Sequence, residues 1–207
     1  VDNDNTVTLS NPGTITEGGA DEAFVFTIGG PVQAGRTFTI DYTLGGGINP
    51  TADFNDHGLS SNSVTTNAGA SSVALTVTTA NTNDNFAEGD EDFTVSVTDG
   101  SGSTPNYLSV AAESVTIVDV DNVVTLSNPG TITENNGGSF TFTIGGPGVT
   151  VETGRTFSID YTVGGGANPT ADGGGTDHSL SDGTVTIINA DGQTKAMTFT
   201  TANDLLA

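Results

Sequence analysis

Acidic residues gather at the ends of the apolar segments in the first 121 residues of the chain. They follow an apolar segment directly or lie in the loops between two of them, namely Glu17, Asp53, Asp84, Glu88, Asp90, Glu91, Asp92, Asp119 and Asp121. Two carboxylates ~4 Å apart repel each other by about 4 kcal/mol at an effective dielectric of about 20. Ca²⁺ relieves such repulsion and takes about six to eight oxygen ligands, whereas Mg²⁺ uses few carboxylates and keeps its water. The pattern favours a calcium site, and ordinary solvated loop charges remain the alternative.

A second group of residues could suggest catalysis. Asp56-His57 and Asp177-His178 lie in equivalent loops, each with a serine three residues further on. Neighbouring residues on one loop do not build the relay geometry of a Ser/His/Asp triad, and a transition-metal site would need further ligands. We interpret the pair as a repeated polar turn and expect no enzymatic activity.

The composition excludes several classes of function. The 207 residues include 3 Lys and Arg against 25 Asp and Glu, a formal net charge of −22, and no Cys. Disulfides and thiolate metal sites are impossible without cysteine, and the lack of bases argues against binding to nucleic acid. No apolar run reaches the roughly 18–20 residues of a membrane span, so we expect no membrane insertion. The uncompensated negative charges repel one another in the folded state, so we expect salt to screen them or bound divalent cations to neutralise them.

The elements that must position these acids are short β-strands. Apolar residues alternate with polar ones in Phe24–Ile28, Phe38–Tyr42, Val73–Val77, Phe93–Val97 and Val115–Ile117, which is the period of a half-buried strand. We predict an all-β fold of tandem immunoglobulin-like antiparallel β-sandwiches, with about seven strands in each full unit and almost no helix. Loops that join alternate strands meet at one pole of a sandwich, so acids from distant segments can converge there.

An internal repeat sets the domain organisation. The eleven residues from Val7 to Glu17 recur without a change from Val124 to Glu134. We therefore predict that residues 1–5 are the tail of a preceding repeat, 6–121 a complete unit, and 122–207 a second unit that lacks its last two strands. Such a unit would leave an unpaired strand edge, so neighbouring repeats or other copies of the chain could supply the missing strands.

The order of five segments resembles the Calx-β motif of sodium–calcium exchangers, integrins and tandem repeats in bacterial surface proteins. The segments are Ile15-Thr16-Glu17-Gly18-Gly19, Thr39-Ile40-Asp41-Tyr42, Thr51-Ala52-Asp53-Phe54, Asp84 with Glu88-Gly89-Asp90-Glu91-Asp92-Phe93, and Val115-Thr116-Ile117-Val118-Asp119. The resemblance implies a seven-stranded sandwich with calcium held by loops at one pole. By motif, the implied ligands are Glu17, Asp53, Asn83, Asp84, Glu88, Glu91, Asp119, Asp121 and the carbonyl of Phe86.

Two departures from the motif limit what it implies. Asn83 stands where the exchanger form has an aspartate, which removes one negative charge from the site. The second unit keeps three of the implied ligands, Glu134, Asp172 and Asp204, but has neither the Glu-rich segment nor the terminal Asp pair. We therefore expect the calcium site of the second unit to be incomplete within this chain.

These features together predict a calcium-binding structural repeat of a large extracellular or cell-surface protein, such as an adhesin, a surface layer or a filament. Calcium would stiffen the junction between consecutive repeats, so the expected partners are neighbouring repeats of the same polypeptide or other copies of it. The alternative is a module that recognises a glycan or a partner protein, and that function would need exposed aromatic side chains. Most of the ten Phe fall at inward strand positions, which counts against it.

Overall fold

The computed structural model describes residues 6–47, 52, 54–78, 84–98, 110–164 and 177–203. Strands are the dominant regular structure in these ranges, so the predicted all-β fold class is confirmed. The strands are β1 (Val7–Ser10), β2 (Ile15–Thr16), β3 (Glu22–Ile28), β4 (Thr37–Gly46), β5 (Asn62–Asn67), β6 (Ser72–Val77), β7 (Phe86–Ala87), β8 (Glu91–Val97), β9 (Val110–Val118), β10 (Val124–Leu126), β11 (Gly137–Ile144), β12 (Thr150–Val151), β13 (Thr156–Tyr161), β14 (Gly183–Ile188) and β15 (Thr194–Thr200).

Helical structure in the described ranges is limited to two short pieces. These are α1 (Phe54–His57) and a 3₁₀ turn at Asn189–Asp191. Neither of them has the length or the apolar character needed to cross a bilayer. The alternating pattern does not predict α1, and its position matters for the site described below.

The described residues divide into two compact units. Unit 1 takes the described residues within 6–84 and 89–120, and unit 2 takes 85–88 and those within 121–203. Residues 85–88 group with unit 2 because β7 pairs with β12 in parallel, with Phe86 opposite Thr150. The predicted tail at residues 1–5 lies outside the described residues.

Unit 1 is a sandwich of two sheets. One sheet has the order β1-β3-β6 and the other the order β2-β9-β8-β4-β5. All neighbouring strands are antiparallel except β2 and β9, which run parallel with Ile15 opposite Ile117. Phe24 and Phe26 of β3 point inward and are fully buried, because alternate residues of a strand face the same side of the sheet. They pack with the inward residues of the opposite sheet, including Phe93.

Unit 2 has fewer paired strands among its described residues. β10, β11 and β15 form one sheet, β13 and β14 form a second, and β7 pairs with β12. The buried core is correspondingly small and consists of Ala87, Phe142, Ile144, Val149, Val151 and Ile187. Burial of a large apolar side chain contributes about 1.5–3 kcal/mol, so the core that the described residues of unit 2 form contributes less stability than the described core of unit 1.

Candidate metal centre

Unit 1 buries several carboxylates, which is unusual for ionisable groups. Those of its described residues with an exposed fraction of 9% or less are Glu17, Asp56, Glu91, Asp92 and Asp119, called here the buried acids. An ionised carboxylate loses several kcal/mol of hydration energy when it is buried, unless other groups compensate for the loss. Arg36 is the only Lys or Arg of unit 1, and it is exposed. No buried Lys or Arg of unit 1 therefore neutralises these charges, and the buried basic residue in the described part of unit 1 is His57.

Glu17 and Asp119 are positioned by the parallel pairing of β2 with β9. Glu17 follows β2, and its amide N donates to the carbonyl O of Val118 at 3.2 Å. Its carboxylate Oε2 accepts from the amide N of Val120 at 3.4 Å. Asp119 follows β9, and its Oδ2 accepts from the amide N of Gly89 at 2.7 Å. Two acids 102 residues apart in the sequence thus flank the same strand end.

Asp56 places a second buried carboxylate close to that of Glu17. It lies on α1, in the loop region between β4 and β5, and 5% of its surface is exposed. The ligand oxygens of Glu17 and Asp56 lie within 4.8 Å of each other. A calcium ion binds oxygen at about 2.3–2.6 Å, so one ion contacts two oxygens that are about 4.6–5.2 Å apart at most. The separation therefore fits bridging by one calcium ion.

The remaining buried acids begin β8. Glu91 lies opposite Ile117, and Asp92 lies opposite Thr116. The hydroxyl of Thr116 donates to Asp92 Oδ1 at 2.6 Å. The carbonyl O of Asp92 accepts from the amides of Gly47 and Ala52 at 3.2 and 3.0 Å. The carbonyl of Asp92 thus links the loop after β4 to the start of β8 by hydrogen bonds. This role of Asp92 is structural.

The other predicted ligands have varied environments. Asp84, Glu88 and Asp121 are half-buried, and Glu88 directly precedes Gly89, the donor to Asp119. Phe86, whose carbonyl was a predicted ligand, has a side chain that is 40% exposed. Four predicted ligands lie outside the described residues, namely Asp53, Asn83, Asp172 and Asp204.

Asp56 is the residue that sequence reasoning missed as a candidate ligand. It was interpreted with His57 as part of a polar turn, and the structure does contain that turn. His57 Nδ1 accepts from the amide N of Leu59 at 3.0 Å, and His178 Nδ1 accepts from that of Leu180 at 3.2 Å. The ring of His57 also packs on Phe93 with centroids 4.6 Å apart. The only sequence signal for Asp56 is the recurrence of the Asp-His pair, which does not reveal that Asp56 is buried.

In unit 2 the counterpart of Glu17 has a different environment. Glu134 ends the same eleven-residue segment but is exposed, in a turn with Asn135 at φ 61°. The described residues of unit 2 contain no strand equivalent to β9 that could receive it. The described acids of unit 2 therefore do not form a comparable buried site.

Comparison with known proteins shows similarity to solved structures only. No protein-family model and no curated protein matches the chain. The chain is similar to the apo form of the Calx CBD1 domain, with a TM-score of 0.44 and 14% identity over 56% of this chain and 97% of that one. It is also similar to CBD12 of CALX1.2 (TM-score 0.41, 12% identity, 96% of this chain and 75% of that one).

A third similar structure is the calcium-binding domain CBD12 of CALX1.1. The TM-score is 0.43 at 14% identity, and the match covers 96% of this chain and 76% of that one. All three are Calx domains, the family whose motif the sequence resembles, and the similarity concerns the fold alone.

Proposed function

We propose that unit 1 is a calcium-binding β-sandwich module in which Glu17, Asp56 and Asp119 provide central ligands. The observation that carries this proposal is the pair Glu17 and Asp56, both buried, with ligand oxygens within 4.8 Å of each other. Two such charges repel each other by about 3 kcal/mol at an effective dielectric of about 20. A divalent cation between them turns that repulsion into attraction, and the named calcium-binding domain among the similar structures supports the choice of metal.

The other predicted ligands extend this set. Glu88 is included because the next residue, Gly89, is hydrogen-bonded to Asp119, and Glu91 because it is buried at the start of β8. The half-buried acids Asp84 and Asp121 complete the set together with Asp53, Asn83 and the carbonyl of Phe86. For unit 2 we propose no calcium site, since Glu134 is exposed.

The role that we propose for the ion is structural and not catalytic. Calcium bound at Glu17 and Asp119 would hold the end of β9 and restrain the segment that leads from it towards residue 121. In a tandem array, this would stiffen the junction between consecutive repeats of an extracellular, surface-attached protein. The surplus of acids over bases supports a setting rich in calcium and salt.

The test is calorimetric titration of the chain with Ca²⁺, combined with thermal unfolding in calcium and in chelator. Glu17→Gln removes one ligand charge while it keeps the shape of the side chain, so we expect calcium affinity to fall at least about tenfold. The matched control is Glu22→Gln, which removes the same charge from the exposed start of β3, and its affinity should change less than about twofold. Equal affinities for the wild type and Glu17→Gln would refute the proposed site.

A further inference from the structure

One turn of the repeat is built from different residues in the two units. Gly18-Gly19 follows the repeated eleven residues in unit 1, and Asn135-Asn136 takes the same place in unit 2, with Gly137 next. Asn136 and Gly137 form the one Asn-Gly pair of the 207 residues. An asparagine before glycine can lose its side-chain amide without an enzyme, because glycine has no Cβ to hinder the approach of its amide N to the asparagine Cγ. Whether this pair reacts depends on how the fold holds it.

The turn has the same hydrogen bond in both units. The amide N of Gly19 donates to the carbonyl O of Thr16 at 3.0 Å, and that of Asn136 donates to the carbonyl O of Thr133 at 3.2 Å. The third residue of the turn in unit 2 is Asn135, with φ 61°, a left-handed conformation that asparagine adopts more readily than most residues. The fold thus holds Asn136 at the last position of a tight turn, immediately before β11.

The side chain of Asn136 is accessible to water. Asn136 and Gly137 are both exposed, and the side-chain amide of Asn136 donates to the hydroxyl of Thr133. This partner is itself exposed, so the hydrogen bond does not shield the amide from solvent. Hydroxide and water therefore have access to the pair, and ammonia can leave it.

The amide N of Gly137 lies on the side of β11 that faces away from β15. Thr201 donates its amide N to the carbonyl O of Asn136 at 2.9 Å, so these two residues form a hydrogen-bonded pair of the ladder. Hydrogen-bonded and non-hydrogen-bonded pairs alternate between antiparallel strands, and the next pair, Gly137 with Thr200, is of the second kind. On the other side of β11, β10 pairs with Phe142–Ile144 at the far end of the strand. The ladder with β15 therefore does not engage the amide that has to attack.

Two similar pairs have their attacking amides in hydrogen bonds. The amide N of Asn136, which would have to attack Asn135, is used in the turn. The amide N of Gly192, which would have to attack Asp191, donates to the carbonyl O of Asn189 at 3.0 Å. These turn hydrogen bonds protect both pairs, and they distinguish them from the Asn-Gly pair.

We propose that Asn136 is a site of spontaneous deamidation, which produces an isoaspartyl linkage at the start of β11. The amide N of Gly137 loses its proton to hydroxide and attacks Cγ of Asn136. The Cγ–Nδ2 bond breaks, and the nitrogen leaves as ammonia. Water then opens the resulting five-membered succinimide at either of its carbonyls, so the products are aspartate and isoaspartate. The net reaction consumes one water and releases one ammonia, and nothing is oxidised or reduced.

The isoaspartyl product changes the end of the β11–β15 ladder. Its main chain runs through Cγ and is one carbon longer, and the former main-chain carbonyl becomes a free carboxylate. That carbonyl is the acceptor for the amide N of Thr201, so the pair that it forms in the unmodified chain opens. The aspartyl product keeps the normal main chain and therefore keeps this pair. Both products lose the side-chain donor to Thr133.

The test is incubation of the 207-residue chain at neutral and at mildly alkaline pH, followed by peptide mapping with mass spectrometry. We expect Asn136 to lose its amide faster than any other asparagine, at a rate proportional to the hydroxide concentration, and to yield both isomers. Gly137→Ala places a Cβ beside the attacking nitrogen, so the rate should fall at least about tenfold. Asn135→Gly restores a residue of the unit 1 turn and is the matched control, with a rate within about twofold of the wild type.

NMR of the separated products tests the effect on the ladder. Amide hydrogen exchange at Thr201 should be at least about tenfold faster in the isoaspartyl form than in the unmodified chain. The variant Asn136→Asp carries the new charge on a normal main chain, and its exchange at Thr201 should stay within about twofold of the wild type.

Three results would overturn the inference. The first is an Asn136 that keeps its amide in the folded chain but loses it in urea, because the fold would then protect the pair. The second is loss of the reaction in Asn135→Gly, which would place the reactive side chain at Asn135. The third is unchanged exchange at Thr201 in the isoaspartyl form, which would refute the opening of the ladder.

Discussion

Glu17 and Glu134 end the same eleven-residue segment, yet one is buried and the other exposed. The amide of Glu17 is bonded to Val118 of β9, so tertiary pairing and not local sequence brings its carboxylate inside. The carboxylate accepts from the amide N of Val120, and it would lose that hydrogen bond if the side chain turned out to water. At the scale of the residue, the buried position of Glu17 therefore depends on its pairing with β9.

Asp56 provides the sharpest residue-level prediction. Asp56→Asn should lower the affinity for calcium at least about tenfold, because a neutral amide oxygen replaces a charged ligand. Without calcium, the same variant should unfold at an equal or higher temperature than the wild type, because its repulsion with Glu17 is gone. Asp21→Asn, which removes an exposed charge, is the control and should change neither quantity. Differential scanning calorimetry in calcium and in chelator measures both states.

Asp92 should behave differently from Asp56, although both are buried. Thr116→Val removes the hydrogen bond to Asp92 Oδ1 and leaves that oxygen without its hydroxyl donor. We expect the free energy of unfolding to fall by about 1–3 kcal/mol, equally with and without calcium, while the calcium Kd stays the same. Urea unfolding in both conditions measures this, and a large change in the calcium Kd would contradict a purely structural role for this hydrogen bond.

At the scale of the element, alternation predicted the strands and missed the helix. The observed strands contain the predicted segments Phe24–Ile28, Val73–Val77 and Phe93–Val97. Apolar residues at every second position all face the same core when the segment is an extended strand. The pattern gives no information about loops, so it did not show that residues 54–57 form α1 and bury Asp56. The site was therefore predictable where acids adjoin strands, as at Glu17 and Asp119, and not where a loop folds back.

The two copies of the repeat allow a matched test of strand packing. Leu9→Ala should lower the free energy of unfolding of unit 1 by about 2–4 kcal/mol, because Leu9 is 8% exposed. Leu126→Ala at the equivalent position of β10 should cost less than about 1 kcal/mol, since Leu126 is 54% exposed. Urea unfolding followed by residue-resolved NMR separates the two units. Equal costs would mean that a partner buries β10 in solution.

At the scale of the whole molecule, the net charge of −22 destabilises the compact state in the absence of cations. Salt and calcium should relieve this in different ways. Salt at ~0.15 M screens exposed charges beyond about 8 Å, but it acts weakly on a buried pair such as Glu17 and Asp56.

We therefore expect Ca²⁺ at about 100 times its Kd to raise the Tm of unit 1 by about 5–15 °C. NaCl at the same ionic strength should produce a smaller rise, and Mg²⁺ an intermediate one because it retains its water. Calorimetry of the dialysed, chelator-treated chain measures all three conditions. Equal rises for Ca²⁺ and NaCl would leave screening as the whole explanation and would argue against a specific site.

The parallel pairing of β2 with β9 has a mechanical consequence. β2 lies near the start of unit 1 and β9 at its end, so tension that pulls the two ends apart drags these strands past each other lengthwise. Their hydrogen bonds then share the load at the same moment and do not open one after another. Glu17 and Asp119 lie at this junction, so an ion bound between them would add resistance to that sliding.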